Sequence, residues 1–121
     1  MIYDENNIFA KILRGEIPCN KIYEDDFVLS FHDINPQKKI HALVIPKGKY
    51  IDLDEFSLNA SPDEMVGLIK GINKVAKKLG ISTEIGKGYR ALANISDHGG
   101  QEVLHLHFHL FGGEDVGRMV E

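Results

Sequence analysis
Val103-Leu104-His105-Leu106-His107-Phe108-His109-Leu110-Phe111 sets three of the chain's six histidines at alternate positions. Two residues is the strand period, so His105, His107 and His109 are expected on one face of a β-strand. Leu106, Phe108 and Leu110 then share the opposite face, which can pack on a core. Gly99-Gly100 interrupts the pattern on one side and Gly112-Gly113 on the other.

Three imidazoles on one strand face admit several uses. Imidazole is the commonest side-chain metal ligand. Residues i and i+2 lie roughly 6.5–7 Å apart along a strand, so His105 and His109 would be about 13 Å apart. Zinc–nitrogen bonds are about 2 Å, so one ion cannot take all three on a straight strand. A His-x-His pair would need a third ligand, and His41, His32 or an acid could supply it. A second reading is a polar face turned to solvent. A third is nucleophilic attack on phosphorus by a neutral imidazole, with neighbouring rings orienting it and passing protons. In that reading the backbone of Gly99-Gly100-Gln101 leaves N–H groups free to meet an oxyanion.

The rest of the chain frames this stretch. Ile8, Phe9, Ile12 and Leu13 form an apolar stripe within Asn7–Arg14, and Gly15 with Pro18 ends it: a short N-terminal helix. Residues 21–24 and 28–34 read as two strands around an Asp25-Asp26 turn, and 41–45 as a third, stopped by Pro46. Ser61-Pro62-Asp63-Glu64 is a helix start with a capping box. Met65, Leu68, Ile69, Ile72, Val75, Ala76 and Leu79 keep helical period up to Gly80, a helix of about 18 residues with Lys77 and Lys78 at its negative end. Gly86-Lys87-Gly88-Tyr89-Arg90-Ala91 fits a relaxed dinucleotide fingerprint. Its context is wrong, because residues 89–95 read as a strand rather than a helix. With 103–111 the expected strands number five. The expected fold is α+β: a five-stranded antiparallel sheet, one long helix and a short N-terminal helix, in a single domain over residues 1–121.

The 121 residues suit one core, and 43% apolar content is ordinary for a globular chain. A net charge of −4 without basic runs points away from nucleic acid. Cys19 is the sole cysteine and supports neither an internal disulfide nor a thiolate metal knuckle. No stretch has the length of a membrane span or the pattern of a signal peptide, so no membrane partner and a cytoplasmic location are expected.

His105-Leu106-His107-Phe108-His109-Leu110-Phe111 resembles the His-φ-His-φ-His-φ-φ signature of the histidine-triad (HIT) superfamily. Gly100-Gln101-Glu102-Val103 before it and Gly112-Gly113 after it resemble the Hint branch of nucleoside phosphoramidases. His41, ahead of Leu43-Val44-Ile45-Pro46-Lys47, matches that family's fourth histidine. The resemblance implies a hydrolase that cleaves the P–N bond of purine nucleoside 5′-phosphoramidates through a covalent nucleotidyl-histidine, with no cofactor and no metal in the chemistry. His107 would be the nucleophile, His109 would bind the phosphate, and His105 with His41 would orient and relay protons. Asp33 and Ile34 would meet the ribose, and Phe9 and Ile12 would wall the base pocket. Asn94, Gly100, Gln101, Glu102 and Val103 would contact phosphate and sugar. Glu102 stands where some members carry serine, and the chain contains no Trp. The family's purine nucleotide ligand and homodimer are expected with it. Two rival functions use the same residues: hydrolysis or transfer on dinucleoside polyphosphates through His107, and non-catalytic binding of a purine nucleotide.

Overall fold
The structure is a computed structural model and describes residues 2–119. Met1, Val120 and Glu121, the ends of the domain expected over 1–121, lie outside the described residues. The described residues hold three helices and five strands. They are α1 (Ile8–Leu13), β1 (Lys21–Glu24), β2 (Val28–His32), β3 (Ile40–Pro46), α2 (Leu53–Asn59), α3 (Pro62–Lys78), β4 (Arg90–Leu92) and β5 (Phe108–Gly112). The strands form one antiparallel sheet in the order β1-β2-β3-β5-β4. The expected α+β architecture is therefore what this sequence folds into.

Local chemistry sets each boundary. Asn7 caps α1 by accepting the Ala10 N–H at 2.9 Å, and Gly15 leaves the helix at φ +78°. Asp25 makes the β1–β2 turn, its Oδ1 accepting the N–H groups of Phe27 and Val28. At the start of α3 the Ser61 hydroxyl accepts the Glu64 N–H while the Glu64 carboxylate accepts the Ser61 N–H.

Strand alternation separates two cores. Val28, Ala42, Val44, Leu106 and Leu110 face α3, where Leu68 and Val75 meet them. Leu29, Phe31, Leu43 and Ile45 face the other way and gather under Phe9 of α1. Close approach of α3 depends on Gly71, since a Cβ there would stand 2.8 Å from Val28 Cγ2. The site described below lies on the α1 side.

Two expected strands are shorter in the structure. The strand read over 89–95 is paired only at Arg90–Leu92. The one read over 103–111 is paired only at Phe108–Gly112, so of the three alternating histidines only His109 stands in the ladder. Pro46 explains the second case. The β3–β5 register pairs Val44 with Phe108, and two steps further it would set Pro46 opposite Leu106. Proline has no N–H to give a ladder, and its carbonyl is occupied by the His105 ring at 2.8 Å. Leu106 donates instead to the Tyr50 carbonyl at 2.8 Å. The alternation of faces nevertheless continues past the end of the ladder: Leu106 lies in the α3 core and His107 packs against Phe9.

Helix α2 was not foreseen. Asp52 caps it, accepting the Glu55 N–H at 2.8 Å, but Phe56 is its only buried side chain, packed edge-on against Tyr50. A single buried position leaves no periodicity to read. No helix among the described residues is long and apolar enough to cross a membrane.

Candidate active site
A cavity of about 420 Å³ opens beside β5, lined by His107, His109, Phe9, Asp33, Glu102 and Val103 among others. Four imidazoles stand at or behind its wall, and their hydrogen bonds fix where each proton sits.

His107 Nδ1 lies 2.8 Å from the backbone carbonyl of His105. A carbonyl only accepts, so Nδ1 carries the hydrogen and the lone pair of the neutral ring belongs to Nε2. Phe9 packs edge-on against this ring with centroids 5.0 Å apart. Burial, partly offset by the His105 carbonyl, holds the His107 pKa below the ordinary histidine value. The ring is therefore neutral at pH 7.

His105 is fully buried. Its Nε2 donates to the Pro46 carbonyl at 2.8 Å, and its Nδ1 meets the Tyr3 hydroxyl at 2.6 Å. Desolvation pushes its pKa down to about 4.

His41 and His109 behave differently. In the β3–β5 register His41 pairs with Phe111 and Leu43 with His109, so the two histidines are diagonal neighbours on one face. Their rings meet directly, His41 Nε2 to His109 Nδ1, at 2.9 Å. The backbone N–H of Gln37 donates to His41 Nδ1 at 3.2 Å. In the neutral ring the His41 proton is thus on Nε2, aimed at His109. His109 consequently bears its own hydrogen on Nε2. Asp33 Oδ2 is 3.4 Å from His41 Nε2. Burial holds the His41 pKa down against the pull of that carboxylate, and burial with the neighbouring His107 and His41 pushes His109 down to about 4. The expected pairing of His105 with His41 is replaced: His41 is joined to His109, and both ring nitrogens of His105 are engaged elsewhere.

Potential ligand atoms of Asp33, His41 and His109 all lie within 4.8 Å of one another. The donor set fits a metal poorly. His41 Nε2 offers a hydrogen rather than a lone pair while Gln37 donates to its Nδ1, so His41 and His109 form a hydrogen-bonded pair with the Asp33 carboxylate beside it. The His-x-His pair considered from spacing is not what meets: the carboxylate joins His41 and His109 instead.

The expected binding residues divide. Phe9, Asp33, Asn94, Gly100, Glu102 and Val103 line the cavity. Ile12 packs behind Phe9 in the core, and Ile34 is 88% exposed and outside the lining. Gln101 braces the approach loop, its amide donating to the carbonyls of Ile51 and Val103 and accepting the Ser96 N–H. Asn94 donates to the Gly99 carbonyl at 2.6 Å. The backbone N–H groups expected to be free are partly spent: Gly100 donates to Asp97 and Gln101 to Ser96. Gln37, Leu43, Leu92 and Phe111 also line the cavity and were not anticipated. Phe111 carried a signal, because it extends the alternation of His105, His107 and His109 by one step. Its ring lies parallel to His109 with centroids 5.7 Å apart.

Comparison with known proteins finds relatives that match nearly the whole chain. Residues 14–116 match the HIT domain. An uncharacterized 13.2 kDa HIT-like protein of Azospirillum brasilense is 50% identical over 98% of this chain and 94% of its own length. The purine nucleoside phosphoramidase of Escherichia coli K12 is 41% identical over 96% of this chain and 94% of its own. Among solved structures, a HIT family hydrolase from Clostridium thermocellum superposes with a TM-score of 0.85 at 40% identity, covering 98% of this chain and 99% of that one.

Proposed function
The chain belongs to the HIT domain family, and we propose that it hydrolyses the P–N bond of purine nucleoside 5′-phosphoramidates, releasing a nucleoside monophosphate and an amine. The observation that carries this reading is the tautomer of His107, whose Nδ1 is tied to a carbonyl so that an uncharged Nε2 lone pair remains for attack. The name of the Escherichia coli relative supports the substrate class.

In the first step His107 Nε2 attacks the α-phosphorus, the P–Nε2 bond forms and the P–N bond to the amine breaks. Positive charge grows on the His107 ring, and the His105 carbonyl at Nδ1 stabilises it. An amine leaves only with a proton. A bound phosphate anion beside Asp33 favours one extra proton on the His41–His109 pair. His109 gives its Nε2 hydrogen to the departing nitrogen, the His41 Nε2 hydrogen passes to His109 Nδ1, and the extra proton remains on His41, leaving both rings neutral. In the second step water attacks phosphorus, its proton returns to His109, and His107 departs as neutral imidazole. Phe9, Leu43 and Val103 offer an apolar wall suited to a flat base. Asp33 has lone pairs left for ribose hydroxyls. Glu102 would keep its side chain away from the phosphate, since like charges repel.

In this reading one HIT domain spans the chain, acts in the cytoplasm and pairs with a second copy. Val66 and Ile69, 51% and 65% exposed on α3, support pairing, which sedimentation measures directly. The test of the chemistry is mass spectrometry of protein quenched during turnover of adenosine 5′-monophosphoramidate. A nucleotidyl adduct on His107 is the expected result. Normal turnover by a His107→Ala protein would end the proposal.

A further inference from the structure
The proton arrangement just described leaves one question: what keeps the fully buried His105 ring the right way round? Its Nε2 faces the Pro46 carbonyl, which requires the hydrogen on Nε2. Nδ1 is then a bare acceptor inside the protein, and an unpaired buried acceptor is costly. The group that meets it comes from ahead of α1. The Tyr3 hydroxyl stands 2.6 Å away and must be the donor, with the phenol ring edge-on to the imidazole at 5.6 Å.

We propose that Tyr3 is a positioning residue for the reaction: its hydroxyl donates to His105 Nδ1 and, with the Pro46 carbonyl at Nε2, pins the ring at both ends, which seats the His105 carbonyl against His107 Nδ1. This rests on the reading of His107 as nucleophile. Tyr3 is not among the residues lining the cavity, so it acts only through His105. The segment that carries it is tied down at several points. Asn7 N–H donates to the Asp4 carbonyl at 3.2 Å and Arg14 Nη1 to the Glu5 carbonyl at 2.7 Å, while Lys49 bridges to the Glu5 carboxylate at 2.9 Å. From Tyr3 the bonds run O–H to His105 Nδ1, then His105 Nε2–H to Pro46 at the end of β3. This path ends on a carbonyl, which accepts no proton for onward transfer at neutral pH. It sets orientation and carries no relay.

The experiment compares wild type with Tyr3→Phe, which keeps the ring and removes the hydroxyl. Two readouts are taken: steady-state kinetics on adenosine 5′-monophosphoramidate and nitrogen-15 NMR of the histidine rings. In wild type His105 should show a single tautomer protonated on Nε2. In Tyr3→Phe the hydrogen stays on Nε2, because the Pro46 carbonyl still requires it. The Nδ1 resonance should shift as it loses its hydrogen bond, with kcat down about 10-fold, the scale on which an outer-shell hydrogen bond moves a reacting group. KM should stay within about twofold, because no binding contact is removed. Glu5→Gln loosens the segment but keeps the hydroxyl, and should leave kcat and the His105 signature unchanged. Unchanged His105 shifts or kcat in Tyr3→Phe overturns the proposal. So does an equal loss of kcat in Glu5→Gln, which would assign the effect to docking of the segment. Should Tyr3→Phe fail to fold, the wild-type spectrum decides, since a His105 protonated on Nδ1 contradicts the assignment. A wild type that does not cleave phosphoramidates overturns the function proposed above, while the comparison of His105 nitrogen-15 shifts still decides whether Tyr3 holds His105.

Discussion

His105 and His107 hang on backbone carbonyls, whereas His41 and His109 hang on each other. The chemistry of the partner makes the two pairs different devices. A carbonyl cannot donate, so each ring tied to one has its tautomer fixed by the fold. Two imidazoles facing each other can both give and take a proton, and Asp33 beside them pulls toward a shared positive charge against the burial that keeps both rings neutral. One pair holds a lone pair still, and the other keeps a proton available. The four histidines therefore divide into a rigid half and a labile half.

His107→Ala breaks the rigid half most completely. Phosphoramidate turnover should fall at least about 10⁴-fold, as when a nucleophile is removed from a catalytic set that acts as a unit. Calorimetry should show nucleotide binding largely kept. His105→Ala should tell instead in stability, losing about 3 kcal/mol in a urea titration. It opens a cavity and strands the Tyr3 hydroxyl and the Pro46 carbonyl. His109→Gln sharpens the contrast from the labile side. Turnover should drop about 100-fold through loss of the acid–base group, and the urea midpoint should move much less than for His105→Ala because His109 is only partly buried.

The gentlest probe is pH. His105 and His109 titrate near 4 in the folded protein, and burial also lowers His107 and His41. The unfolded chain takes up these protons near the ordinary value of about 6.5. Between those limits the unfolded state binds more protons, so stability must fall as pH drops from about 6.5 toward 4. Urea midpoints at pH 7, 6 and 5 should decline in that order. His105→Gln should flatten the slope, and a slope unchanged in that variant would detach the effect from the buried ring.

Much of this was legible in the chain. The Asn7–Arg14 stripe, the capping box at Ser61 and the Asp25 turn act within a few residues of themselves, and each sits in the structure where local reasoning set it. Alternation put Leu106, Phe108 and Leu110 on the core side and the histidines opposite, and both hold. Other features left no local trace. Helix α2 buries one residue and so lacks a period. Ile34 sits next to Asp33 in sequence yet faces solvent. The contact of Tyr3 with His105 spans 102 positions, and no spacing rule reaches that far.

The sequence by itself determined which residues could do chemistry and which face they take, because strand alternation and helix capping are set by neighbours along the chain. The tertiary structure alone decided which ring meets which. The His41–His109 bond joins residues 68 apart, and it exists because β3 and β5 pair in one register that makes them diagonal neighbours. The end of the ladder at Pro46 turned His105 from a third member of a strand face into a buried support. A proton's place on an imidazole depends on the atom opposite it, and folding alone brings that atom there.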